Sequence, residues 1–191
     1  MSAPKPLRAD AQRNRDRLVN AAVRAFSYDA DVTLEAIAKE AGVGIGTLYR
    51  HFPTREALVE AAYRDQLTKL CEAAPDLLRA KPPAEALRTW LDYFVDYMTT
   101  KRGMGDALKA VIASGGNPFS HSRESLLKAM TSLLEAAAKD GSVREDIDPW
   151  DVIASASGVS LAAAEAGQRD QAGRMLDLLM DGLRYGSKNP T

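Results

Sequence analysis

The sequence predicts an all-α protein of about nine helices, with a small three-helix unit at its amino end and a larger helical part after it. Three observations carry this. Apolar residues recur at helical spacing along most of the chain, and no stretch alternates as a half-buried strand would. Proline and glycine clusters cut that pattern into helix-length pieces. Thr33 to His51 reads as two short helices around a tight glycine turn, the helix-turn-helix layout.

Met1 to Ala9 holds two prolines, Lys5 and Arg8 without periodicity, and is expected to be a mobile arm able to follow phosphates or enter a minor groove. From Asp10 to Tyr28 a helix follows, with Leu18, Ala22 and Phe26 at four-residue steps beside Val19 and Val23. That face should cover Leu34, Ile37, Leu48 and Phe52 in a three-helix core, leaving Arg13, Arg15 and Arg17 to solvent or phosphate. Thr33 suits an N-cap, and Leu34, Ile37, Ala38 and Ala41 form one apolar face ending at Gly42, which can stop a helix in the left-handed conformation. Val43 to His51 then forms the second short helix, with Leu48 inward.

Pro53 ends it and Thr54 caps the next, which should run from Arg55 to about Cys71 or Leu78, with Pro75 ending or kinking it. After Lys81-Pro-Pro, helices are expected over 84–101, 106–113 and 120–140, broken by Arg102 to Gly105, by the loop Ser114 to Pro118, and by Gly141. A helix from Pro149 to about Gly167 is rich in small residues (Ala154 to Gly158, Ser160, Ala162 to Ala164), and a last one carries Leu176, Leu179, Met180 and Leu183. Close packing of those small and apolar faces suits either a four-helix interface between two copies or an internal hairpin.

The chain has 191 residues, 46% hydrophobic and 27% charged, enough to bury a real core. Its net charge of −1 conceals an asymmetry: Met1 to Arg24 carries six basic and two acidic residues. The lone Cys71 excludes an internal disulfide and fits a reducing compartment, and no apolar run approaches a membrane span. With no secretion-type apolar core near Met1 either, a cytoplasmic location without membrane attachment is expected. Two histidines, His51 and His121, and no Cys/His or Glu-x-x-His spacing argue against a metal site. Gly42, Gly44 and Gly46 follow a helix and lack dinucleotide-loop spacing, so no cofactor is expected. No catalytic constellation is visible, and the protein is not expected to be an enzyme.

The second short helix is small and polar opposite Leu48. Gly44, Gly46, Thr47 and Arg50 let backbone and short side chains approach a surface such as a DNA groove. Ile45 cannot hydrogen bond a base edge; it suits either a thymine methyl or packing. The stretch Gly46 to Leu58, GTLYRHFPTREAL, resembles the signature of TetR family transcriptional regulators, closely over about Leu18 to Leu58 and only in length and helical character beyond. The resemblance implies that Thr33 and Thr47 contact double-stranded DNA, that Tyr49 and His51 bond phosphates, and that Arg55 meets the backbone where many relatives place lysine. It departs from the frequent pattern in having Gly44 and Ile45 where a small polar cap and a polar residue often stand.

The resemblance also implies a small-molecule effector. The apolar group Trp90, Phe94, Tyr97, Met98, Met104, Leu108, Phe119 and Met130 would suit a mostly apolar compound, and the same stripe would equally serve as plain core. The expected organisation is a DNA-binding domain over 1–56 and a ligand-binding and dimerisation domain over 57–191, acting as a homodimeric, ligand-responsive repressor on a pseudo-palindromic operator. The competing classes are a small helical enzyme and an architectural DNA-binding protein without a ligand.

Overall fold

A computed structural model describes residues 5–163 and 168–186. Among them lie nine helices: α1 (Lys5–Tyr28), α2 (Leu34–Glu40), α3 (Ile45–His51), α4 (Arg55–Ala80), α5 (Pro83–Gly103), α6 (Gly105–Ala113), α7 (Ser122–Lys139), α8 (Pro149–Ala162) and α9 (Arg169–Arg184). None is long and apolar enough to cross a membrane. The chain divides into two units. One comprises the chain to Gln66 with Thr100–Pro118; the other comprises Leu67–Thr99 and the chain from Phe119 onward. α4 and α5 therefore contribute to both.

In the first unit, α1 packs on α2 and α3, and α2 on α3. Leu18, Ala22, Phe26, Ile37 and Leu48 are completely buried, as the four-residue steps along α1 require. Gly103, at the end of α5, lies against α1. A Cβ built on it would sit 2.6 Å from the Ser27 carbonyl oxygen.

The second unit holds the later part of α4, most of α5, and α7 to α9, with α8 packed on both α7 and α9. The buried Trp90 indole donates to the Leu70 carbonyl at 2.9 Å, joining α5 to α4. Ion pairs join α5 to α9: Arg88 Nε lies 2.8 Å from Asp177, and Arg169 lies 2.9 Å from Asp96 and 3.0 Å from Asp92.

Two expectations need correction, and two others are to be set beside the described residues. The expected arm Met1 to Ala9 is helical from Lys5; Pro6 falls in the first turn of α1, where a missing N–H costs no intrahelical bond. Residues 1–4 lie outside the described part. Pro75 does not end its helix: α4 runs on to Ala80, with Pro75 exposed between buried Ala74 and Leu77, so tertiary packing holds a turn that is one hydrogen bond short. The helix expected to reach Gly167 is described to Ala162, and Ala164 to Gly167 fall outside the described residues. Finally, Leu176, Met180 and Leu183 of α9 are buried within the chain. The exposed small and apolar residues of the last two helices include Ala154, Ser155, Gly158, Leu161 and Ala162 of α8, with Leu178 and Gly182 of α9, beside charged residues such as Asp151, Arg174 and Asp181.

The contact at Gly103 gives the first prediction. Gly103→Ala gains at most a few tenths of a kcal/mol to about 1 kcal/mol in helix propensity, whereas forcing a methyl against backbone costs about 1–3 kcal/mol. The clash wins, so the variant should unfold at lower denaturant concentration than the parent; equal or greater stability would disprove this close approach.

Candidate nucleic-acid interface

α2 ends in a Schellman motif: Val43 N–H donates to the Ala38 carbonyl at 2.9 Å and Gly42 N–H to that of Lys39 at 3.1 Å, with Gly42 at φ +62°. Thr33 caps the other end, its hydroxyl accepting from the Ala36 N–H at 3.2 Å. The left-handed residue reverses the chain, and Gly44 in extended conformation opens α3 without a side-chain cap. Leu48 and Phe52 point inward, and Thr54 caps α4 through the Ala57 N–H.

Burial of Leu48 fixes what α3 turns outward. Gly46, Tyr49 and Arg50 lie at i, i+3 and i+4 and share a face; Ile45 joins Tyr49 at i, i+4. Ile45 is 37% and Tyr49 45% exposed, and among the described residues the Tyr49 hydroxyl has no partner. A Cβ on Gly44 or Gly46 would meet nothing within 4 Å, so nothing inside the described chain requires glycine there for space. Arg50 is folded along its own helix, Nε to the Gly46 carbonyl at 3.2 Å and Nη2 to the Thr47 hydroxyl at 2.8 Å. His51 is half-buried, its ring 6.2 Å from that of Phe52.

Arg55, expected at the DNA backbone, is half-buried. Its terminal nitrogens donate to the carbonyls of Ala30 and Val32, and its guanidinium lies 4.8 Å from the centroid of the Phe26 ring. Two arginines left by the sequence to solvent or phosphate flank α3 and its turn: Arg15 lies 5.5 Å over the Phe52 ring, and Arg17 Nη1 is 3.6 Å from where a Gly42 Cβ would stand. No local pattern announces these contacts, which span 23 to 37 residues of chain.

Of the residues expected to line a ligand site, Trp90, Phe94, Tyr97 and Met130 are buried in the second unit. Trp90 stacks on Phe94 at 5.7 Å and Phe94 tilts against Tyr97 at 6.1 Å. Met98 is half-buried and Phe119 is 36% exposed. Met104 and Leu108 are buried and belong to the first unit.

Among the described residues, no group of three or more His, Cys, Asp or Glu side chains could hold a metal ion. Burial, with the neighbouring Glu72, pushes the Cys71 thiol up to about 11, leaving it protonated and weakly nucleophilic at neutral pH.

Comparison with known proteins finds matches along most of the chain. The family profile described as bacterial regulatory proteins, tetR family, matches residues 18–62, and that of the transcriptional regulator SbtR-like C-terminal domain matches residues 82–185. The fold is similar to a TetR transcriptional regulator from Streptomyces coelicolor, at 54% identity and a TM-score of 0.86, covering 89% of this chain and 98% of that one. It is also similar to a TetR transcription regulatory protein from Mycobacterium vanbaalenii, at 34% identity and a TM-score of 0.77, covering 94% and 99%. Among curated proteins, the HTH-type transcriptional regulator UidR of Escherichia coli is 34% identical over 94 residues, 48% of this chain. That match spans only 42% of UidR.

The glycines separate by stability. Gly46→Ala, inside α3 and facing open space, should stabilise the free protein by up to about 1 kcal/mol, whereas Gly42→Ala must hold a Cβ at positive φ and should cost about 1 kcal/mol or more. Thermal unfolding of both variants checks the pair; the opposite order would mean that the turn is misassigned.

Proposed function

The chain belongs to the TetR family of transcriptional regulators, and from that premise we propose that it acts in the cytoplasm as a homodimeric, ligand-responsive repressor holding a pseudo-palindromic operator with two copies of α3. The observation that carries this proposal is the outward face of α3, where glycines that internal packing does not require stand beside an unpartnered tyrosine. Gly44 and Gly46 allow close approach, Ile45, Thr47 and Arg50 face base edges, and Tyr49 and His51 donate to phosphates. Thr33 and Arg55 complete the set at the starts of α2 and α4. Arg50 can exchange its two exposed intrahelical bonds for DNA at little cost. In this proposal residues 1–56 read DNA, and residues 57–191 bind the effector and form the dimer.

The dimer surface proposed is the outward face of α8 and α9. Leu161 and Leu178 are 65% and 72% exposed there, and Gly158 and Gly182 have open space where a side chain would stand. Selection of bound fragments from the source genome should yield a two-half-site duplex, with the protein sedimenting at about twice its 20.7 kDa chain mass. Gly46→Ala should weaken that duplex at least tenfold while stabilising the free protein. Tyr49→Phe should weaken all duplexes alike, and Leu178→Arg should give a monomer with little operator affinity. Unchanged binding by both α3 variants would remove α3 from the interface, and a wild-type monomer holding both half-sites would remove the dimer.

For the effector, we propose a mostly apolar small molecule lying against the Trp90, Phe94 and Tyr97 ladder with Met98, Phe119 and Met130. Reading helices must sit roughly 34–36 Å apart to enter successive major-groove turns, so a ligand that prefers another spacing releases DNA. A hundredfold preference corresponds to about 2.7 kcal/mol, enough to empty a modestly occupied operator. Titration of lipophilic compounds against the protein–duplex complex should find one that raises the melting temperature of the free protein and lowers operator affinity. Stabilisation with unchanged operator affinity would overturn the coupling.

A further inference from the structure

Arg55 is the first residue of α4, yet its side chain reaches back across 23 and 25 residues to the connection between α1 and α2. That connection is short and lacks regular structure. Asp29 stabilises it locally, its carboxylate accepting from the Asp31 N–H at 2.9 Å, and the Val32 N–H reaches the Asp29 carbonyl at 3.4 Å. The carbonyls of Ala30 and Val32 take their hydrogen bonds from Arg55, one from each terminal nitrogen, while the guanidinium plane covers the ring of Phe26, a wholly buried residue of α1. One side chain thus ties together the end of α1, the turn after it and the start of α4. Val32 immediately precedes Thr33, the cap of α2, and α2 leads through the Gly42 turn to α3.

From this geometry we infer that Arg55 is a positioning residue for DNA recognition: it sets the height and angle of Thr33 and α2, and hence the presentation of α3, through the Ala30 and Val32 carbonyls. This rests on the DNA-binding function proposed above and changes the role given there to Arg55, from contributor of charge to the phosphates to clamp. The chemistry needs arginine. A planar fork can donate in two directions and stack on a ring at once, whereas a lysine ammonium is a compact point charge that cannot do all three. Ala30 and Val32 are half-buried residues, so a side chain that reaches neither carbonyl leaves both short of a partner. Against phosphate, by contrast, lysine would serve nearly as well as arginine, because charge carries most of that interaction.

Arg55→Lys and Arg55→Met separate these roles. The probe is the duplex selected from the source genome by the wild-type protein, bound across a series of salt concentrations, with amide hydrogen exchange of the free protein measured alongside. For a clamp, both variants lose at least tenfold in affinity, and the slope of log affinity against log salt stays at the wild-type value. Exchange then quickens over residues 30–37 but not in α7 to α9. The inference is overturned if Arg55→Lys binds within threefold of wild type while Arg55→Met lowers the slope by about two, one phosphate contact per protomer. It is equally overturned if exchange over 30–37 is unchanged, or if it quickens everywhere, which would mean general loss of stability. If the wild-type protein selects no duplex, the DNA-binding function fails instead, and the exchange measurement still decides whether Arg55 holds the turn.

Discussion

Burial of Leu48 and Phe52 is the constraint on which the outward surface of α3 depends. α3 has seven residues, too few to persist alone in water, so it exists because its inner face is packed. Each of these two side chains contributes about 1.5–3 kcal/mol on removal from water, more than any capping bond available in so short a helix. The same burial fixes rotation about the helix axis. Once Leu48 is inward, the 3.6-residue period leaves Gly46, Tyr49 and Arg50 outward, with no freedom to present another face. The left-handed turn at Gly42 then sets where α3 begins, and the Arg15 guanidinium lies over the Phe52 ring.

Electrostatics works on this frame by position more than by total. Several basic side chains near the helix-turn-helix are already engaged: Arg24 with Glu40 at 2.8 Å, and Arg13 with Asp10. Such exposed pairs add little stability, and they also lower the charge available to phosphates. Arg15, Arg17 and Arg50 have no carboxylate partner among the described residues, and they surround α3 and its turn. A chain with net charge −1 can therefore present a local positive surface, with acidic groups elsewhere balancing the sum.

What the sequence made legible was what short-range physics determines. The Thr33 and Thr54 caps, the glycine stop at Gly42 and the inward Leu48 depend on neighbours within a turn or two, and each could be read from spacing. Where a distant segment decided the outcome, spacing failed. Pro75 has the local character of a helix end, but buried residues on both sides carry α4 past it. Gly103 reads as an interruption, although its lack of a side chain is what lets the end of α5 meet the Ser27 backbone. The clamp by Arg55 left no trace in sequence, because the residues before and after it carry no sign of carbonyls more than twenty positions away. The family resemblance gave Arg55 a role from its place in a motif, which specifies the residue type and not the direction of its side chain.

α9 illustrates the same limit and shows how the fold resolves it. Its apolar residues could have faced a second copy or the chain's own interior, and periodicity alone left both open. Burial decides the rotation and the ion pairs conform to it: Leu176, Met180 and Leu183 outweigh the partly exposed pairs, in which Arg88 reaches Asp177 and the Gly173 carbonyl, and Arg169 reaches Asp92 and Asp96, joining two separate positions along α9 to α5. Arg88 and Asp92 are largely shielded from solvent, which makes their pairing less screened than that of a surface pair. With α9 held this way, Leu176, Met180 and Leu183 fall inside and Leu178 falls outside. Leu178 is thus exposed because it lies on the face of α9 away from the buried Leu176, Met180 and Leu183, and a large apolar side chain left in water is the kind of residue that a second copy of the chain would cover.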